Sequence, residues 1–175
     1  EMISAGASGI HIEDQVSEKR CGHRPNKEIV SSDEMCDRMK AARDAISDDD
    51  FMLMARTDAF AKEGLERTIE RAEKYIEAGA NALFPEAITS LKDYKALSEK
   101  ISVPILANIT EFGMTPLFSK TELKNAGVSI ILHPLSAFRA MSKAALEVYS
   151  SISQDGSVEK ILEKMQSRDE LYEIL

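Results

Sequence analysis

The chain has 175 residues, 43% of them hydrophobic and 30% charged, and a formal net charge of −8. That is enough for one domain with a real core but short for a large barrel, and no apolar run approaches the roughly 18 residues of a membrane span. The negative balance argues against nucleic acid or an anionic membrane surface as a partner, and two cysteines without a secretion signal point to a reducing, cytoplasmic setting.

The opening residues, Glu1 to Ala7, read as the tail of a helix running into a turn, so the chain is expected to be a fragment. An apolar run over residues 8–12 ends at Glu13 and Asp14. It leads into a loop that holds Lys19, Arg20, Cys21, Gly22, His23, Arg24 and Lys27. No other stretch is so rich in groups that can do chemistry. Ser31 and Glu34 have the spacing of a capping box, and Met35, Met39, Ala42 and Ile46 then form one apolar helical face. A second run covers residues 51–55. Leu65, Ile69, Ala72 and Ile76 outline a second helix, closed at Gly79. A third run, 80–84, precedes a helix marked by Leu91, Tyr94, Leu97 and Ile101. The fourth run, 103–107, precedes a short helix that Ser119 and Glu122 open and that ends near Gly127. The fifth run, 128–132, precedes a helix marked by Phe138, Met141, Ala145 and Val148. A last helix is predicted over residues 157–175.

Strand and helix alternate, which predicts an α/β fold of parallel strands joined by right-handed crossovers. The runs are nearly continuous in apolar residues, as strands buried on both faces should be. There is no Gly-x-Gly-x-x-Gly after a strand and no Walker pattern, so a nucleotide site is unsupported. In such folds ligands sit beyond the carboxyl ends of the strands. Alternation places His11 and Glu13 on one face, with Met54, Arg56 and Asp58, then Phe84 and Glu86, then Leu106, Asn108 and Thr110. Polar strand ends therefore converge on one mouth. Parity favours Glu13 over Asp14 as the acid that faces it. Arg56 ends an apolar strand, where an unpaired cation would be costly. Cations flank Cys21 on both sides, which favours a thiolate, and His23 stands beside it as a partner. Cys36 falls mid-helix and reads as structural.

Residues 9–15, Gly-Ile-His-Ile-Glu-Asp-Gln, and 19–25, Lys-Arg-Cys-Gly-His-Arg-Pro, resemble the isocitrate lyase and phosphoenolpyruvate mutase superfamily. The Arg-Pro after Cys-Gly-His is similar to its methylisocitrate lyase branch. Residues 54–59, 83–87, 107–113, 134–139 and 165–172 match the same pattern.

The resemblance implies a single domain over 1–175, a partial (β/α)8 TIM barrel holding strands 4 to 8, their helices and a C-terminal helix. Members carry the first three strands ahead of this region, with a Ser-Gly-Gly substrate segment and an Asp-x-Asp pair for Mg2+, neither of which is present here. The base for the substrate hydroxyl is expected in that absent part too. The implied reaction is carbon–carbon cleavage of 2-methylisocitrate to pyruvate and succinate in propionate catabolism, the methylcitrate cycle. The alternatives are isocitrate lyase, which makes glyoxylate and succinate, or a non-catalytic remnant that serves assembly; the fragment alone is expected to be inactive. By resemblance, Cys21 is the catalytic acid, and Lys19 and His23 support its loop. The small tricarboxylate substrate would meet Cys21, Gly22, Arg56, Glu86, Asn108, Ile109, Thr110, Arg139 and Arg168. Glu13 would hold Mg2+ through water. The implied assembly is a cytoplasmic homotetramer that exchanges its last helix, with neither nucleic acid nor membrane as a partner.

Overall fold

Each of the five apolar runs carries a strand, displaced by a residue or more toward its polar end. In the computed structural model, which describes residues 1–174, they are β1 (Gly9–Glu13), β2 (Met52–Thr57), β3 (Ala82–Pro85), β4 (Leu106–Asn108) and β5 (Ile130–Leu132). β1 to β3 pair in parallel, with Glu13 opposite Arg56 and Arg56 opposite Phe84. β4 and β5 pair in parallel as well, with Asn108 opposite Leu132. A parallel bridge between Leu83 and Ile105 links the two groups, reinforced where the Leu83 N–H donates to Pro104 O at 2.9 Å. Consecutive strands are therefore spatial neighbours, in the order the alternation predicts.

The pleat sorts side chains onto two faces. Ile10, Ile12, Leu53, Ala55, Leu83 and Ala107 point toward the helices, where they join two clusters around Met35, Met39 and Tyr75 and around Tyr94, Leu97 and Leu123. Met54, Ala82, Phe84 and Leu106 form a smaller cluster on the opposite face. That second face carries the polar strand ends.

Four helices pack on the outer side: α1 (Ser32–Ala45), α2 (Phe60–Glu77), α3 (Leu91–Lys100) and α4 (Lys120–Asn125). The Ser31 hydroxyl accepts from the Glu34 N–H at 3.1 Å, but the Glu34 carboxylate pairs with Arg38 at 2.6 Å, so only half of the expected capping box forms. The reciprocal box forms at Ser119 and Glu122. α2 begins five residues before its apolar face, and Gly64, at φ 81°, breaks it. Gly79 adopts φ 113° after the last turn, where a side chain would be strained, and the Ala80 N–H donates back to Tyr75 O.

Residues 1–134 form one compact unit and a second begins at Leu135. The second contains α5 (Ser136–Asp155), a 3₁₀ segment (Glu159–Lys164) and α6 (Arg168–Ile174). The single helix predicted over 157–175 is thus two short pieces. Met165 is extended at ψ 146°, and the Ser167 hydroxyl accepts the Glu170 N–H at 3.2 Å to start a new helix. Leu175 lies outside the described residues. Among the described residues no helix is long and apolar enough to cross a membrane.

Candidate active site

Arg56 organises the strand ends. Its side chain is 11% exposed and lies over the Phe84 ring, 4.9 Å from the centroid. Its Nε is 3.0 Å from Asp58 Oδ2 and 3.3 Å from Glu13 Oε2, and its Nη2 is 3.0 Å from Glu86 Oε2. Burial alone would lower the Arg56 pKa. The carboxylates of Asp58, Glu86 and Glu13 outweigh that cost and hold it above its ordinary value. The buried cation that the sequence left without a partner therefore has three.

Asp58 is fully buried, and burial disfavours its charge, but Arg56 and Lys27 overcome this and lower its pKa. Lys27 Nζ donates to Asp58 Oδ1 at 2.8 Å and to Gly22 O at 2.6 Å. This buried lysine ties the loop after β1 to the end of β2. Gly22 then rests directly on the charged cluster. A Cβ there would strike Glu86 Cγ and would lie 2.7 Å from both Arg56 Nη2 and Asp58 Oδ1. Only glycine permits that approach.

His23 follows and is also engaged. The Met114 N–H donates to its Nδ1 at 3.0 Å, and its Nε2 lies 3.1 Å from Glu86 Oε1. An Nδ1 that accepts leaves Nε2 to carry the hydrogen, so the ring donates to Glu86. Gly113 fits closely against the same ring. His23 thus joins the loop after β1 to the loop after β4. Glu86 is 1% exposed and also accepts the Ala87 N–H at 2.9 Å and, more weakly, Asn108 Nδ2 at 3.3 and 3.4 Å.

The remaining predicted residues divide. Lys19 Nζ pairs with Glu13 Oε1 at 2.8 Å, and its side chain is 54% exposed. Thr110 is buried beyond β4, whereas Ile109 is 1% exposed within the helix-side core, with its N–H donated to Leu132 O. Cys21 is a free, exposed thiol one residue from the seated Gly22. Arg139 and Arg168 belong to the second unit, in the first turn of α5 and at the start of α6.

Two buried oxygens at this mouth, Glu13 Oε2 and Asn108 Oδ1, accept no hydrogen bond. Buried polar atoms are rarely left so, and both suit donors from a ligand or from water on a cation. Among the described residues no group of three His, Cys, Asp or Glu could hold a metal ion.

Three residues carry roles that the sequence does not mark. Lys27, one of four cations in the loop, is buried, only 7% exposed. Gln15 staples the loop, its Oε1 accepting the Arg20 N–H and its Nε2 donating to Arg20 O, both at 2.9 Å. Asp14, set aside by parity, is fully buried on the helix side. The Asp58 N–H and the hydroxyls of Thr57 and Tyr75 donate to it at 2.9, 2.7 and 3.0 Å. Burial raises its pKa and pushes the Tyr75 hydroxyl up, so the tyrosine remains a donor.

An α/β fold of parallel strands with a charged, glycine-approached cluster at their carboxyl ends defines an enzyme-like class. Residues 1–153 match the family model described as phosphoenolpyruvate phosphomutase, and the chain belongs to that family. It is 60% identical over 172 residues to the 2-methylisocitrate lyase of Escherichia coli (strain K12), covering 98% of this chain and 58% of that protein. It is 41% identical over 175 residues to the 2-methylisocitrate lyase of Aeropyrum pernix, with 100% and 56% covered. The chain therefore spans under two thirds of the length of these curated relatives. A crystal structure of 2,3-dimethylmalate lyase, described as a PEP mutase/isocitrate lyase superfamily member, superposes with a TM-score of 0.86 at 33% identity, over 99% of this chain and 58% of that one. A phosphonopyruvate hydrolase complex with oxalate and Mg++ superposes at 0.79 and 28%, over 98% and 59%.

Proposed function

We propose that this chain belongs to a carbon–carbon lyase that cleaves 2-methylisocitrate to pyruvate and succinate, and that its five strands are the last five of an eight-stranded barrel. The observation that carries the reading is the seat of Gly22 on the Arg56–Asp58–Glu86 cluster, which sets the Cys21-Gly22-His23 loop over the strand ends. Curated relatives up to 60% identical bear that activity in their names, which supports it further. In this reading Arg56 and Asn108 bind substrate carboxylates, and Gly22 lets the loop close without displacing them. Glu86, held by Arg56, His23 and the Ala87 N–H, fixes the substrate's oxygens. As a base takes the substrate's hydroxyl proton and the O–H electrons form the pyruvate carbonyl, the C–C bond breaks, its electron pair passes to the succinate carbon, and the Cys21 thiol delivers the proton that quenches it. Closure excludes water, so the carbanion takes its proton from Cys21 and not from solvent. Glu13 would hold Mg2+ through water, and the bound ion would supply Lewis-acid polarisation of the pyruvate oxygens. Lys19 supports the loop, and Thr110 lines the site. The assembly is a homotetramer in the cytoplasm.

Turnover tests the reading. The protein that carries this chain should release pyruvate from 2-methylisocitrate in the presence of Mg2+ and turn over isocitrate far more slowly. Preference for isocitrate would overturn the substrate assignment, and no turnover of either acid would overturn the lyase.

A further inference from the structure

Glu13 and Asp14 are neighbours with opposite destinations. Glu13 faces the mouth and pairs with Arg56 and Lys19. Asp14 passes to the helix side, where no water reaches it, and takes hydrogen bonds from three donors contributed by β2, the residue after it and α2. Arg71 Nη1 approaches it at 3.7 Å while donating to Val30 O and the Tyr75 hydroxyl, and Arg71 Nε and Nη2 hold the Glu63 carboxylate. A buried carboxylate is expensive, and a chain that needed only to fill this space could use an apolar residue. What this one does is fix the backbone of Asp58.

Asp58 is the hub on the other side. Its backbone N–H points back to Asp14 Oδ1, and its side chain points forward to Arg56 and Lys27. Lys27 in turn holds Gly22 O. A continuous path of short contacts thus runs from Asp14 to the loop that carries Cys21.

We propose that Asp14 is a positioning residue for the site: from behind the sheet its carboxylate fixes the Asp58 backbone and, through Asp58, the Arg56 and Lys27 contacts that seat the Cys21 loop. It touches neither substrate nor reacting atoms. The kinetic half of this inference rests on the lyase reading; the loop half does not.

The test uses Asp14→Asn in the protein that carries this chain, beside Thr57→Val and Tyr75→Phe. Each is read by its melting temperature, by kcat and KM on 2-methylisocitrate, and by the rate at which iodoacetamide labels Cys21, mapped by peptide mass spectrometry. Asp14→Asn should label at least about threefold faster and lose about 100-fold in kcat with little change in KM, as misplaced groups do. Tyr75→Phe, which spares the Asp14–Asp58 bond, should stay within about fivefold of the parent. A purely structural Asp14 would lower the melting temperature and leave labelling of the folded protein unchanged, and that result overturns the inference. Should Asp14→Asn not fold, the Thr57→Val, Tyr75→Phe double variant decides: it keeps the carboxylate but removes both hydroxyls that hold its Oδ2, and unchanged labelling in that variant overturns the inference equally. Absence of lyase turnover in the parent would sink the lyase reading alone, with labelling still deciding the role of Asp14.

Discussion

The two sides of the β1–β2 edge solve the same electrostatic problem differently. On the mouth side, Glu13, Asp58 and Glu86 crowd around one guanidinium, and two buried oxygens remain without a hydrogen bond. On the helix side, Asp14 accepts from three donors, one of them the hydroxyl of Tyr75 from the cluster that also holds Met35 and Leu53. The first arrangement can open to exchange partners with a ligand; the second is closed and holds the Asp58 backbone in place. Function is expected where the polar groups are incompletely satisfied, and rigidity where they are complete.

The largest expected effect comes from removing the shared cation. Arg56→Met leaves three carboxylates facing one another with little water. It should lower stability by about 3–5 kcal/mol, as loss of one member of a buried pair does, and abolish turnover. Urea denaturation checks the first and a steady-state assay the second. On the helix side, Leu53→Ala should cost a comparable 2–5 kcal/mol or so through the cavity it leaves, yet the folded fraction should keep the parent's kcat. If both variants lost stability and activity in the same proportion, the contrast between the two sides would fail. Gly22→Ala sharpens it from the other direction. Its methyl group has no room against Glu86, Arg56 and Asp58, so the loop must lift; kcat should fall about 100-fold while the melting temperature barely moves.

The smallest effect is in the pH dependence. The folded pKa of Asp58 lies below its unfolded value of about 3.9, because Arg56 and Lys27 outweigh the penalty of burial. Its contribution to stability is therefore fully present above the unfolded value and is lost as pH falls through the folded one. Asp58→Asn should flatten the decline of the urea midpoint below about pH 4 relative to the parent. An unchanged acid limb would mean that the Arg56–Asp58–Lys27 contacts are not held in solution.

Much of this architecture could be read from the sequence, and the reasons are physical. The central strands are covered on both sides and appear as unbroken apolar runs, and the outer two are legible as well although Gly9, His11 and Leu132 are exposed; β1 to β4 run a residue or two past the apolar residues. Period-two alternation is enough to place Glu13, Arg56, Glu86 and Asn108 at one mouth. What failed to show was burial among polar residues. Lys27 stands in a loop beside Asn26 and Glu28, with nothing to mark it as 7% exposed. Asp14 was dismissed because parity sends it away from the mouth, which it does; its partners Thr57 and Tyr75 are 43 and 61 residues distant in sequence. Helix ends were legible only in part. The box at Ser119 closes, while Glu34 at the matching position is drawn to Arg38 instead. The run over 157–175 has helical spacing yet breaks at Met165, because Ser167 offers a new N-cap.

The central claim is that the loop seated by Gly22 carries the group that protonates the departing carbanion. It is tested most directly by pyruvate release from 2-methylisocitrate by Cys21→Ser, in the protein that carries this chain. Serine preserves shape and exposure but is a far weaker acid than a thiol. The account predicts a variant with the parent's melting temperature and a kcat reduced by about 100-fold or more, as for loss of a general acid. A kcat within a few-fold of the parent would contradict it.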